Sequence, residues 1–386
     1  CADLMRIRWV FGLLASLLLL PSALAMPQVR VRIYAVKDVY EFKMGGTTLR
    51  SIWFLRGTQA DTVESSNLHL RRSGALVQGN IDGTWRSADS IRVEADGPVA
   101  TEGPSGQRRT YPGGFTLAPL GATELLVVNR VPLEDYVAGV VNAELGKYLG
   151  RELWRAQATV ARTWWAANRR KYAPLGYQVS DDVRSQVYHG WPADSTRRFN
   201  LIEAAFSTEG LLLYRADTNA FVETLFHANS GGELMPAAWY FKPSAHLVNK
   251  PDSFSLDCPQ TNWVKRIPSS DWLRFFAETW SVPSSNQSLR EAVFSIEQDS
   301  RREYFEWNGK KIRFRLLRER FGLRSSWFST KLEGNEVVLH GRGNGHGIGL
   351  SQEGAWRMSQ LGYGFRSILE HYYPGARLSD LQHSGL

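Results

Sequence analysis

Alternating glycines run through Gly341-Arg-Gly-Asn-Gly-His-Gly-Ile-Gly349 and set an arginine, an asparagine and a histidine among them. With no Cβ in the way, such a segment lets backbone come close to a ligand or to a second stretch of chain. It is not a phosphate loop, because no frame in it satisfies G-x-G-x-x-G and no Gly-Lys-Ser/Thr follows. Metal chemistry finds no matching spacing either. The eight histidines, at positions 69, 189, 227, 246, 340, 346, 371 and 383, are scattered, and neither His-Glu-x-x-His nor paired Cys-x-x-Cys occurs. No metal and no cofactor is therefore expected.

The elements that must position these residues begin after an export segment. Arg6 and Arg8, the apolar run Val10 to Leu20, and Ala23-Leu-Ala25 form the layout of a secretory signal peptide over residues 1–25. The run is too short for a membrane span, which needs about 18 apolar residues. The mature chain is then expected to be exported to the periplasm or cell wall, with no stable membrane anchor after cleavage. Cys258 is its remaining cysteine and closes no internal disulfide, so stability must come from packing. The 386 residues carry 46 basic and 38 acidic side chains, a formal charge of +8, and 12% aromatics. That balance excludes a disordered polyelectrolyte, favours an anionic polymer partner, and suits ligands such as sugars that stack on rings.

Residues 26–128 alternate short β-branched or aromatic runs with turn signals. Val29-Arg-Val-Arg-Ile-Tyr34, Ser51-Ile-Trp-Phe-Leu55, Ile91-Arg-Val-Glu94 and Glu124-Leu-Leu-Val-Val128 read as strands, with Gly45-Gly46, Asp82-Gly83 and Pro112-Gly113-Gly114 between them. The pattern turns helical at Val131-Pro132, where Leu133, Val137, Val140 and Val141 recur at helical spacing. A second helix is expected from Glu152 to Lys171, with Gly146 and Gly150 bracketing the loop before it. Ser269 to Trp280 and Leu289 to Val293 read as mixed, Val337 to His340 as a strand, and Phe365 to Tyr372 as a helix stopped by Pro374-Gly375. The fold class predicted is α+β: a β-rich N-terminal part, a helical segment within residues 129–386, and a smaller inserted lobe at about 250–335 facing it across a groove.

Three blocks then carry a family resemblance. Val131-Pro-Leu-Glu-Asp-Tyr-Val-Ala-Gly-Val-Val141 with Ala143-Glu144-Leu145 and Ala156-Gln-Ala-Thr-Val-Ala-Arg-Thr163 is the first. Phe226-His-Ala-Asn-Ser-Gly-Gly232 is the second, and Gly341 to Gln352 continuing to Ile368-Leu-Glu-His-Tyr-Tyr-Pro-Gly375 is the third. Together, and in this order, they resemble the SpoIID/LytB family.

The resemblance implies a secreted lytic transglycosylase acting on peptidoglycan glycan strands. Such an enzyme cuts the β-1,4 bond after N-acetylmuramic acid and leaves a 1,6-anhydro end. It also implies roles: Glu144 as the catalytic acid and base, Arg162 as a substrate-side arginine, and Tyr372 or Tyr373 as the family tyrosine. One carboxyl suffices for this chemistry, because the substrate's own C6 hydroxyl replaces the second carboxylate that most glycosidases need. For the first step Glu144 must be protonated, so its pKa must rise above the ordinary value of about 4.3. An arginine against it would do the opposite, and Arg162 is therefore expected not to form a tight resting pair with it.

The further substrate-binding candidates are Ser230, with the Gly231-Gly232 backbone, and His346, Ser351 and Gln352 on the opposite wall. Two departures from the family pattern stand out. Some relatives hold zinc before Gln-Val-Tyr, but here Ser185 occupies the cysteine position, so no zinc is expected. Glu353 replaces the tyrosine of the family's Ser-Gln-Tyr-Gly and places a second carboxylate near the expected cleft. Peptidoglycan is the expected partner, and no nucleic acid. A hydrolysing muramidase stays open, as does a non-catalytic glycan-binding enhancer of a cell-wall amidase, for which the amidase is a second partner.

Overall fold

The computed structural model describes residues 27–380, so the signal-peptide reading over residues 1–25 lies outside the described residues. Eleven strands form one large sheet, ten of them between Gln28 and Pro132 and the eleventh at Val179–Ser180. The path runs from Val179–Ser180 through Gln28–Arg32, Glu124–Pro132, Gly114–Leu120, Ser90–Ala95, Glu41–Leu55, Thr58–Ser73 and Leu76–Ile81 to Thr84–Ala88. Val99–Glu102 and Arg108–Tyr111 pair beside it. Alternation explains the register: Val29 and Val31 are fully buried while their neighbours Gln28 and Arg30 are exposed. Asp82-Gly83, with φ of +49° and +86°, makes the tight turn that its residues signalled.

The eight helices of the described residues are α1 (Leu133–Leu145), α2 (Arg151–Asn168), α3 (Ser195–Phe206), α4 (Ser269–Trp280), α5 (Gln287–Phe294), α6 (Phe314–Phe321), α7 (Gln352–Gln360) and α8 (Phe365–Tyr372). The α+β class is as read. Pro132 stands at the N-cap of α1, and the strand before that helix, Glu124–Pro132, runs through the expected boundary at 128/129. α1, α2 and α3 pack together, and their apolar faces join the core of the sheet. The two segments that read as mixed are helices. In α4, Trp272, Leu273, Phe276, Ala277 and Trp280 recur at helical spacing and are buried.

A second hydrophobic core lies apart from the first. It gathers Trp263, Trp272, Phe276, Phe305, Phe314, Phe328 and Leu339 among others. Around it stand α4, α5, α6, the hairpin Tyr304–Trp307/Lys310–Arg313, and a three-stranded sheet of Asn262–Pro268, Glu336–Arg342 and Phe328–Glu333. The last of these strands, Glu336–Arg342, leads straight into the alternating glycines, so this core ends where the third block begins.

Candidate active site

Glu144 sits in the last turn of α1, half-buried, with its Oε1 accepting a hydrogen bond from the backbone N–H of Val187 at 2.8 Å. Burial pushes its carboxyl pKa above the ordinary range, and the Val187 hydrogen bond offsets part of that rise. The C-terminal end of α1 acts in the same direction as burial, since its free carbonyls disfavour a nearby negative charge. Behind it, Gln352 at the start of α7 reaches the carbonyl of Glu144 from its side-chain amide at 3.5 Å. Gln352 thereby ties the first block to the third.

Arg162 pairs with a different carboxylate. Its guanidinium is wholly buried and forks onto Glu134, with Nε donating to Oε1 at 2.8 Å and Nη2 donating to Oε2. The remaining donors reach the carbonyls of Leu211 at 3.2 Å and Ala205 at 3.1 Å. The guanidinium is thereby taken up by Glu134 rather than by Glu144. The expected contact with substrate is corrected, because a side chain with no accessible surface and with its donors on protein acceptors has nothing left to offer a ligand.

The same correction applies to four other candidates. Ser230 is fully buried and donates to Asp252 at 2.7 Å; Tyr372 donates to the other oxygen of Asp252 at 3.2 Å. Tyr373 donates to the carbonyl of Leu225 at 2.7 Å, and burial raises the pKa of both tyrosines. Ser351 caps α7 by accepting from Gly354 N–H and meets Ser255 Oγ at 2.7 Å. Asp252, which no motif singled out, thus collects Ser230, Ser255 and Tyr372. These side chains join the second and third blocks rather than line a surface.

His346 also works inside the glycine segment, where its Nδ1 accepts from the N–H of Ile348 at 3.0 Å. Burial, with Arg318 and Arg301 nearby, pushes its pKa down to about 4, so the imidazole is neutral at pH 7. It packs between His227 and Phe241. Gly343, Gly345, Gly347 and Gly349 all adopt positive φ, and a Cβ on Gly349 would stand 2.0 Å from the carbonyl of Leu225. Asn344 and Asn229 exchange backbone hydrogen bonds at 3.0 and 2.8 Å, and Phe226–His227 runs parallel to Leu350–Ser351. The glycines therefore serve the close approach of the second block to the third.

Glu353 is completely buried and fully engaged. One oxygen accepts from Tyr148 Oη and from the side-chain amide of Gln260 at 3.3 Å; the other accepts from Asn229 at 2.7 Å and from Gln260 N–H at 3.0 Å. It offers no free carboxylate to a cleft. Tyr148 follows α1 by three residues and its ring packs at a tilt against Trp356 of α7, with centroids 5.3 Å apart, so this network is a further bridge between the blocks. Tyr148, Asn229, Asp252 and Gln260 were missed as a group, and the Asn in Phe226-His-Ala-Asn-Ser-Gly-Gly232 was the nearest signal in the sequence.

The family model described as SpoIID, Stage II sporulation protein, matches residues 121–214, which include Glu144 and Arg162. Stage II sporulation protein D of Bacillus amyloliquefaciens is 31% identical over 284 residues, covering 68% of this chain and 78% of that protein. The chain belongs to the stage II sporulation protein D family. The protein of the same name from Bacillus subtilis (strain 168) is 28% identical, with 73% of this chain and 84% of that protein covered. The Amidase enhancer of Bacillus subtilis (strain 168) is more distant, at 23% identity over 62% of this chain and 40% of the enhancer. No helix of the described residues is long and apolar enough to cross a membrane.

Proposed function

We propose that this chain cuts peptidoglycan glycan strands as an exported lytic transglycosylase, with Glu144 as the single acid and base. The observation that supports this most is the contrast among carboxylates at the meeting of the blocks. Glu134 is taken up by the forked guanidinium of Arg162, and Asp252 and Glu353 each by several protein donors, whereas Glu144 is half-buried, holds one backbone N–H and has its pKa raised by burial. A carboxyl in that condition keeps more of its acid form near neutral pH and can protonate the glycosidic oxygen as the bond breaks. Its conjugate base then takes the proton from the muramyl C6 hydroxyl as that oxygen closes on C1. The proton count balances without a water molecule or a second carboxylate.

The test is release of 1,6-anhydromuramyl products from purified glycan strands, followed by mass spectrometry. Glu144→Gln is expected to lower that release by about 100-fold or more, the range for a lost general acid and base. Release by the variant at the parent rate overturns the assignment. Reducing ends without the anhydro mass difference point to hydrolysis, and stimulation of an added amidase without any strand cleavage points to the enhancer reading.

The pH profile checks the same residue by its proton. Because burial favours the protonated form, the limb on which activity falls with rising pH is expected to lie above the value of about 4.3 of an ordinary glutamate. A midpoint at or below that value counts against Glu144 as the acid.

A further inference from the structure

A groove of about 990 Å³ opens between the N-terminal sheet and the loop that follows Val187. Its walls carry Lys43, Arg108 and Arg109 against one carboxylate, Glu102. Glu102 lies 3.3 Å from Lys43 and 3.8 Å from Arg108, so it neutralises one of the two at most. Arg109 is held from behind by Asp181 at 3.2 Å, over the ring of Tyr34. Asn67 and Asn142 add amides, and Trp191 adds an aromatic wall with the guanidinium of Arg198 over its ring at 5.4 Å. The lining thus combines an excess of cations with amides and a ring.

The groove is connected to Glu144 through the chain segment that holds its carboxyl. Val187, whose N–H holds the Glu144 carboxyl, lines a neighbouring hollow of about 300 Å³, and Gln107, Arg109 and His189 line both. The chain from Val187 to Trp191 therefore links the proposed acid to the cationic wall within five residues.

We infer that this groove is a subsite for the carboxylate-bearing muramyl side chain of the glycan strand, built on the N-terminal sheet. The inference rests on the reading of the chain as acting on peptidoglycan. Neutral acetamido sugars need hydrogen bonds and a stacking surface, which the amides and Trp191 offer. The cations add selectivity for a strand that carries negative charge at every second sugar. Two sources supply the same chemistry: the free lactyl carboxylate of a strand stripped of peptides, or the carboxylates of an attached stem peptide.

The test measures binding rather than cleavage, in full-length protein carrying Glu144→Gln so that strands stay intact. Three probes are titrated by calorimetry: amidase-stripped glycan, peptide-bearing glycan, and chitohexaose, which has no carboxylate. The added pair Lys43→Gln/Arg108→Gln alters exposed side chains, leaving the core untouched. It is expected to weaken binding of a muramyl probe by roughly fivefold or more and to leave chitohexaose unchanged. Raised salt is expected to weaken the parent toward the variant for the same probe. Loss with stripped strands assigns the site to the lactyl carboxylate, and loss with peptide-bearing strands alone assigns it to the peptide. Unchanged binding of both muramyl probes, or equal loss of chitohexaose, overturns the inference. Absence of anhydro products from the parent would sink the cleavage reading while leaving this measurement standing.

Discussion

The buried pair of Arg162 and Glu134 separates two meanings of an important residue. Both side chains are essentially inaccessible, and the guanidinium spends its donors on Glu134 and two carbonyls. Arg162→Met is therefore expected to destabilise the fold by about 3–5 kcal/mol, the usual result of leaving a buried charge without its partner. Adding Glu134→Leu is expected to restore much of that loss, read from urea midpoints of the single and double variants. If the single variant keeps its midpoint and loses only glycan binding, the structural role is wrong. Sequence placed Arg162 on a helix near Glu144 but could not say where its guanidinium points. A core arginine and a substrate arginine look alike at one position of a helical stripe, because the choice depends on what stands opposite. Val187 is a second case: its contact with Glu144 is through backbone N–H, which leaves no mark on residue type.

Among elements, the glycine segment is held by backbone as much as by side chains. Gly349 has φ of +71° and faces the Leu225 carbonyl, whereas Gly334, with φ of +61°, has open space where its Cβ would stand. Gly334→Ala should show only the backbone penalty of about 1–2 kcal/mol. Gly349→Ala is expected to lower the thermal midpoint far more, because an atom 2.0 Å from a carbonyl oxygen must push two chain segments apart. Equal midpoints for the two variants would show that the segments are not locked together. Regular elements were readable where one periodicity dominated: Phe365–Tyr372 and the strand around Val337 to His340 fall where the pattern put them. α4 read as mixed because Ser-Ser-Asp-Trp-Leu-Arg-Phe-Phe mingles aromatic, β-favouring residues with a helical stripe, and burial against the second core decides it.

At the scale of the molecule, the Glu353 network fastens the edge of the smaller core to the body that carries α1 and α7. Gln260 lies two residues before the strand Asn262–Pro268, Asn229 belongs to the second block, and Tyr148 follows α1. Glu353→Ala would leave these donors buried without an acceptor, each worth about 1–3 kcal/mol. Faster amide exchange across residues 262–342 than in the parent is the expected signature, with the large sheet unaffected. Uniform exchange changes throughout would mean that the network does not join two separable bodies. No sequence pattern revealed this joint, since its donors stand 93, 124 and 205 residues from Glu353 along the chain and each is an ordinary polar side chain.

The strand Gln28–Arg32 has its two hydrogen-bonded neighbours far ahead of it, at Glu124–Pro132 and, in parallel, at Val179–Ser180. Its pairing is completed only by chain from about 150 residues further on, a non-local contact whose loop-closure entropy slows formation of the sheet. A fragment ending at residue 128 would keep only part of the antiparallel partner and leave the other side of Gln28–Arg32 bare. That bare edge, with Val29 and Val31 uncovered, would invite pairing between copies.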